Sequence, residues 1–247
     1  MYDLSVIAPC YNEQDNVDVL VQRLNAVFES MNTRGEILLV NDCSTDNTKK
    51  IIDSLAADHN NVKAIHHTVN RGLMAGWDTG IENAEGKSVC FIDADLQNPP
   101  EELPKIYNEL LAGDCDMVQG FRVSEGRLKD GRYILTKGLN VLLNAVFAMS
   151  ATDNKSGFVV ADRDIMAKIL LRHFCYKHYH CFIRVSAEKK GYRVRECATL
   201  FVEREQGASF ISRFPGILII EIIWDVVKAF VEFRLLNLDS RVRDTEH

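Results

Sequence analysis

Apolar residues along this chain come in two rhythms, and the rhythms alternate. Leu4–Ala8 is a short, almost continuous apolar run. It is followed by Val17, Leu20, Val21, Leu24, Val27 and Phe28 at three- and four-residue spacing. The run predicts a buried strand and the spacing an amphipathic helix. Ile37–Val40 repeats the strand signal, and Ile51, Ile52 and Leu55 the helix signal. Val62–His66, Ser88–Ile92 and Met117–Gln119 supply a third, fourth and fifth strand. Strands that are apolar on both faces and separated by helices imply a mostly parallel sheet flanked by helices, an α/β, Rossmann-like architecture. No internal repeat or low-complexity linker divides the chain. Residues 1–212 are therefore expected to form one domain, and 213–247 a C-terminal amphipathic helical extension.

Composition narrows the picture. With 247 residues, 47% of them apolar and only five prolines, the chain can bury one large core and is not disordered. Seven cysteines, an odd number with no repeated C-x-x-C, point to reduced thiols and a cytoplasmic location, with no signal peptide ahead of the first strand. The net charge of −6 is uneven: residues 1–154 hold 13 Lys and Arg against 23 Asp and Glu, whereas residues 155–247 hold 16 against 12. An acidic half that binds metal beside a basic half near an anionic partner has this form, and so does a chance scatter of solvated charges. Nucleic acid is not an expected partner, because no dense basic run occurs.

Three polar loops follow predicted strands, and in a parallel sheet they share one rim, where open α/β sheets bind ligands. They are Pro9-Cys10-Tyr11-Asn12-Glu13, Asn41-Asp42-Cys43-Ser44-Thr45-Asp46 and Asp93-Ala94-Asp95-Leu96-Gln97. Ser44 to Asp46 can cap the second helix, but Asp42 lies too early for that and is placed to take a ribose hydroxyl or a base N–H. Asp93, Asp95 and Gln97 offer only oxygen ligands, which suit Mg²⁺ or Mn²⁺ with open positions for phosphate oxygens. The plain alternative is an acidic loop ahead of the helix that starts at Pro99-Pro100.

These motifs, with Asn70-Arg71-Gly72 and Gly120-Phe121-Arg122, occur in an order that resembles family 2 glycosyltransferases of the GT-A fold over roughly residues 3–205. Within the family the chain is most similar to the branch of dolichol-phosphate mannose synthase, which charges polyprenyl phosphates with sugars. The resemblance implies that Pro9, Tyr11, Glu13 and Asp42 hold the nucleoside, with Arg71 and Gly72 near the nucleotide and its sugar. It implies that Asp93, Asp95 and Gln97 hold the metal on the diphosphate, Asp95 and Gln97 closest. Arg122 would face the donor or acceptor phosphate. Asp153 and Ser156 fall in a matching acidic-to-Gly-Phe segment, and Arg204 and Ser209 in an Arg-x-x-Gly-x-Ser segment that clamps phosphates. Asp95, Asp153, Arg122 and Arg204 are thus the expected catalytic residues, and Arg122, Ser156, Arg204 and Ser209 the expected acceptor contacts.

Two positions depart from the branch. Val159 stands where it usually has Arg, and Phe210 where it usually has Lys; Lys155 or Arg213 are the substitutes at hand. The expected reaction is a metal-dependent, inverting transfer from a nucleoside-diphosphate sugar, UDP favoured over GDP, to a polyprenyl phosphate. A sugar hydroxyl as acceptor would need a general base, and Asp153 is the candidate. A phosphate is already an anion and needs cations instead. A nucleotidyltransferase fits poorly, since Pro9–Glu13 contains no glycine. A non-catalytic nucleotide-sugar binding protein remains the third reading, given the two missing cations.

Residues 214–233 form an apolar stretch interrupted by Glu221, Asp225, Lys228 and Glu232. On a helix these four fall within an arc of about 60°. Each charge costs about 2.5–3.5 kcal/mol at bilayer depth, so the stretch is expected to lie on the membrane surface rather than span, with packing into a homo-oligomer and plain core packing as the alternatives. Peripheral membrane association follows. The run from His173 to Cys181 is dense in zinc-type ligands, but all lie in one short segment, so a partly exposed loop is expected instead of a zinc site.

Overall fold

A computed structural model of the chain describes residues 1–123, 131–172, 174–202 and 215–236. The apolar runs form strands β1 (Leu4–Cys10), β2 (Gly35–Asn41), β3 (Val62–His66), β4 (Ser88–Phe91) and β5 (Met117–Val123). The helical spacings form α1 (Val17–Ser30), α2 (Thr48–Asp58), α3 (Leu73–Asn83) and α4 (Leu103–Leu111). Farther on lie α5 (Gly131–Phe147), β6 (Val159–Asp162), α6 (Arg163–Leu170), α7 (Ile183–Lys189), β7 (Val194–Leu200) and α8 (Pro215–Phe230), which ends in a π-helical turn over Val231–Leu235.

The seven strands make one sheet in the order β3-β2-β1-β4-β6-β5-β7. All neighbours are parallel except β6, which runs antiparallel between β4 and β5. The sequence pattern places β1 to β5 and the mostly parallel sheet correctly; it does not resolve β6 and β7. Reversal of β6 has a direct consequence for the site. Residues leading into it, 153–158, arrive at the same rim as the carboxyl ends of the parallel strands.

Period-two alternation splits the core into two layers. Leu4, Val6, Ala8 and Cys10 face the layer under α1, α2 and α4, whereas Ile7, Leu38 and Val40 face the layer shared with α3, α6 and α7. In that second layer Trp77 stacks on Phe91 with ring centroids 4.6 Å apart, both rings fully buried. Burial of each such ring contributes about 2–3 kcal/mol. α3 lies so close to β1 that a Cβ at Gly76 would sit 2.8 Å from Pro9 Cβ, which brings the start of α3 against the rim.

α8 reverses the usual orientation of an amphipathic helix. Its charged stripe faces the protein: Asp225 and Glu232 are buried, along with Val226, Ala229 and Phe233. Asp225 Oδ2 accepts from Lys177 N at 3.0 Å and His178 N at 2.8 Å, and Oδ1 pairs with Lys228 Nζ at 2.5 Å. Tyr176 OH donates to Glu232 Oε2 at 2.6 Å, and Lys177 Nζ to Glu221 Oε1 at 2.6 Å. The apolar face, with Ile220, Ile223, Trp224, Val227 and Phe230, is left exposed. Residues 174–178 form the partly exposed loop expected there, with Cys175 and Lys177 exposed, and a 3-10 turn follows at Tyr179–Phe182. Tyr176, Tyr179, Cys181 and Phe182 are buried, because the segment is the seat for α8; His173 lies outside the described residues.

Candidate active site

Two loops of the rim brace each other through short polar side chains. At the end of β1, Asn12 takes a left-handed φ of 56°, which turns its backbone N–H to Ser44 Oγ at 3.0 Å and its Oδ1 to Thr45 N at 2.8 Å. Glu13 N donates to Thr48 Oγ1 at 2.8 Å, and Asp46 Oδ1 accepts from Thr48 N at 2.9 Å, capping α2 as expected. Pro9 lies near the end of β1, and Tyr11 and Glu13 sit on the loop after it, held by the β2–α2 connection.

Asp42 lies beneath a third loop. It is 5% exposed, and its oxygens accept from Arg71 N at 2.8 Å and Gly72 N at 2.7 Å; His67 Nδ1 lies 2.7 Å from Oδ1. Gly72 takes φ 82° at the start of α3, a conformation that favours glycine. Asp42, Arg71 and Gly72 thus form one hydrogen-bonded unit, with both Asp42 oxygens engaged in shaping it.

The carboxylate loop follows β4. Leu96 adopts φ 62°, which folds the loop back so that Gln97 N donates to Asp95 Oδ1 at 3.1 Å. Val202 N donates to Gln97 O at 3.0 Å, tying the loop to the chain beyond β7. Asn98, 3% exposed, donates from Nδ2 to Asp93 Oδ2 at 3.4 Å. Among the described residues no three His, Cys, Asp or Glu side chains converge as a metal centre. Two carboxylates and one amide oxygen still match a hard divalent ion that takes its other ligands from water and phosphate. The donor set fits Mg²⁺ or Mn²⁺.

Arg122, on β5, joins this loop to the segment before β6. Its Nε and Nη2 donate to Asp153 Oδ2 at 2.5 Å and Oδ1 at 2.8 Å, a two-pronged pair in which both side chains are mostly buried. Burial opposes the charge on each. The pairing outweighs it, so the Asp153 carboxyl is held below its ordinary range and the Arg122 guanidinium, also facing Asp93, above its own. Asp153 Oδ1 also accepts from Lys155 N at 3.1 Å. The Lys155 ammonium makes no hydrogen bond or ion pair among the described residues. Burial, with the fields of Lys155, His178 and Arg122, pushes His180 down to about 3, so the ring is neutral at physiological pH.

Other expected residues lie elsewhere. Ser156 is 2% exposed; its hydroxyl accepts from Phe158 N at 3.4 Å and its carbonyl from Gln119 Nε2 at 2.9 Å, so it shapes a turn below the rim. Val159 is fully buried in the second core layer. Arg204, Ser209, Phe210 and Arg213 lie outside the described residues. The sequence reading gave Asn98 no role, and named Asn12 and His180 only within the Pro9–Glu13 loop and the His173–Cys181 run. Asn98 alone carried a usable signal, its place directly after Gln97.

A largely parallel α/β sheet with a D-x-D-x-Q loop on its rim has the GT-A arrangement. The chain belongs to glycosyl transferase family 2, whose model matches residues 5–175. It is 28% identical over 250 residues to the undecaprenyl-phosphate 4-deoxy-4-formamido-L-arabinose transferase of Pectobacterium carotovorum subsp. carotovorum (strain PC1), covering 97% of this chain and 72% of that protein. The enzyme of that name from Klebsiella pneumoniae subsp. pneumoniae is 28% identical over 249 residues, with 97% and 71% covered. Among solved structures, glucosyl-3-phosphoglycerate synthase from Mycobacterium tuberculosis, in complex with Mn²⁺, UDP and phosphoglyceric acid, aligns with a TM-score of 0.69 at 16% identity, over 93% of this chain and 78% of that one. That likeness establishes the fold. The chain is a glycosyltransferase.

Proposed function

We propose that this enzyme moves a sugar from a nucleoside-diphosphate sugar, UDP in preference to GDP, to a polyprenyl phosphate at the cytoplasmic face of a membrane, with inversion and with a divalent metal. The Arg122–Asp153 pair carries the choice of acceptor. A general base needs a free lone pair and a pKa near the working pH. Asp153 has a depressed pKa and both oxygens engaged, so it suits an orienting carboxylate better than a base. A phosphate acceptor needs no base. The acceptor named in the relatives' own activity, undecaprenyl phosphate, supports the same choice.

In this reading Pro9, Tyr11 and Glu13 line the nucleoside side, and Asp42 holds Arg71 and Gly72 against the nucleotide and its sugar. Asp93, Asp95 and Gln97 would hold the metal, which would supply Lewis-acid stabilisation of charge on the departing nucleoside diphosphate. Arg122 and Lys155 receive the acceptor phosphate, with Arg204 and Ser209 assigned to the same anion from the sequence. A phosphate oxygen forms the bond to the anomeric carbon from the face opposite the one the diphosphate leaves.

The exposed apolar face of α8 supports contact with a lipid surface. No helix among the described residues is long and apolar enough to cross a membrane. A second copy of the chain covering that face is the competing arrangement.

Nucleoside diphosphate release from a panel of UDP- and GDP-sugars, with Mg²⁺ or Mn²⁺ and with or without a short polyprenyl phosphate, tests the proposal. Release that requires both metal and lipid phosphate is expected. Release only with a sugar acceptor would assign Asp153 as a base, and nucleotide binding without release in any mixture would leave a binding protein.

A further inference from the structure

The segment that presents Asp153 is gripped from two sides. Asn140 and Asn144 lie one turn apart on α5 and so share a face. Asn140 Nδ2 donates to Ala151 O at 2.8 Å and Thr152 O at 3.1 Å, and its Oδ1 accepts from Asn154 N at 2.9 Å and Asn154 Nδ2 at 2.7 Å. Asn144 Nδ2 donates to Ala151 O at 2.9 Å, and its Oδ1 accepts from Ala151 N at 3.2 Å and Asn154 Nδ2 at 3.1 Å. From the opposite side Glu196, on β7, accepts from Thr152 N at 2.7 Å and Thr152 Oγ1 at 2.9 Å. Buried Arg184 pairs with Glu196 at 2.7 Å and fixes that carboxylate in turn.

Through these contacts the backbone N–H groups of Ala151, Thr152 and Asn154 are all committed, and Lys155 N is committed to Asp153 itself. Residue 153 stands at the centre of the gripped stretch. Asparagine is a weak helix former, because its amide competes for nearby backbone groups. Two of them within α5 are explained by the loop they hold rather than by the helix they occupy. The outer face of the same helix is apolar and exposed at Leu135, Val141 and Leu142.

We propose that Asn140 and Asn144 are positioning residues for sugar transfer: they fix the 151–154 segment so that the Asp153 carboxylate meets Arg122 squarely and leaves the Lys155 ammonium free for the acceptor. This rests on the reading above, in which Asp153 and Arg122 work beside the transferred group. The asparagines touch neither donor nor acceptor. Their effect passes through Asp153.

The test uses Asn140→Asp and Asn144→Asp, which keep side-chain size but set a carboxylate against the carbonyls of Ala151 and Thr152. Asn140→Ser is the second variant should Asn140→Asp fail to fold. Amide hydrogen exchange over residues 151–155 is expected to rise about tenfold, with exchange in β1 to β4 unchanged, since loss of one or two hydrogen bonds opens a segment locally. Binding of UDP with Mn²⁺ should stay within twofold. kcat for lipid-phosphate glycosylation should fall about 10- to 100-fold, with the donor KM changed less than threefold. In an Asp153→Asn background the same substitution should cost no further activity, since coupled residues are not additive. Unchanged exchange at 151–155, or a full additive loss in the Asp153→Asn background, would overturn the proposal. If the wild-type chain turns over no donor and acceptor pair, the functional reading fails on that result, and the exchange measurement alone still decides whether the asparagines hold the loop.

Discussion

Asp42, buried, and Asp153, mostly buried, are carboxylates at the rim of one sheet, and their partners differ in kind. Asp42 is satisfied by backbone N–H groups and an imidazole, so the loop it organises acquires shape without a strong cation. Asp153 meets a guanidinium that also feels Asp93, and its charge is cancelled where it stands. The donor loops lie within residues 1–154, a stretch with 23 acidic residues against 13 basic ones, Asp153 and Arg122 included, and the Asp93–Gln97 loop offers oxygen ligands to a cation. The acceptor side neutralises its own carboxylate and leaves Lys155 over. One side of the rim calls for metal and the other for an anion.

The largest effect should come from the donor side. Asp95→Asn removes one of the two carboxylates offered to the metal and should lower kcat about 1000-fold, roughly 4 kcal/mol in the barrier, without loss of thermal stability. Activity within tenfold of wild type would break the contrast between the two sides. Next comes the acceptor side's support, α8. Asp225→Ala removes a buried carboxylate that accepts from the part-buried Lys177 and His178 N–H groups and pairs with Lys228, which keeps only Cys175 O, and urea unfolding should show a loss of about 3 kcal/mol. Asp42→Ala should cost about 2 kcal/mol and weaken UDP binding about tenfold, because the Arg71–Gly72 backbone loses its anchor. A stable variant with unaltered affinity would detach Asp42 from the nucleotide.

Two smaller effects sharpen the comparison. The folded pKa of Asp153 is depressed, so the stability it contributes is fully present above the unfolded carboxylate value near 4 and is lost as pH falls through the folded value. The difference in urea midpoint between wild type and Asp153→Asn should be flat from pH 8 to pH 5 and shrink below pH 4. A difference that grows towards acid would show a carboxylate without its pair. Trp224→Ser, on the exposed face of α8, should change folding stability by less than about 0.5 kcal/mol yet reduce binding to anionic lipid vesicles about tenfold. Unchanged vesicle binding together with loss of a dimer in ultracentrifugation would assign the face to a second copy.

Much of the donor side was legible in the sequence because its signals are local. β1 to β5 are apolar runs ending in polar loops, and the loops carry their motifs in order. The acceptor side is built from longer-range facts. β6 is only four residues long, and its antiparallel direction depends on partners distant in sequence. The stripe of Glu221, Asp225, Lys228 and Glu232 was readable as a stripe, but periodicity is the same whichever face turns inward. Only its contacts with Tyr176, Lys177 and His178 set the direction. Ser156 shows the same limit: a motif position names a residue type and does not say that its hydroxyl faces the Phe158 backbone.

The reversed strand β6 also bears on how the chain is made. At the ribosome, residues 1–123 carry five strands, of which β1 to β4 can pair with one another as they emerge. β5 has no place among them, because its neighbours on both sides, β6 and β7, are still to be synthesised. Until residue 162 has left the exit tunnel, β4 keeps an open apolar edge of the kind that recruits other chains. The window for misassembly during synthesis is thus set by the four residues from Val159 to Asp162. A chain stalled or truncated between 123 and 159 is expected to aggregate, whereas one extended past β6 has already closed the gap.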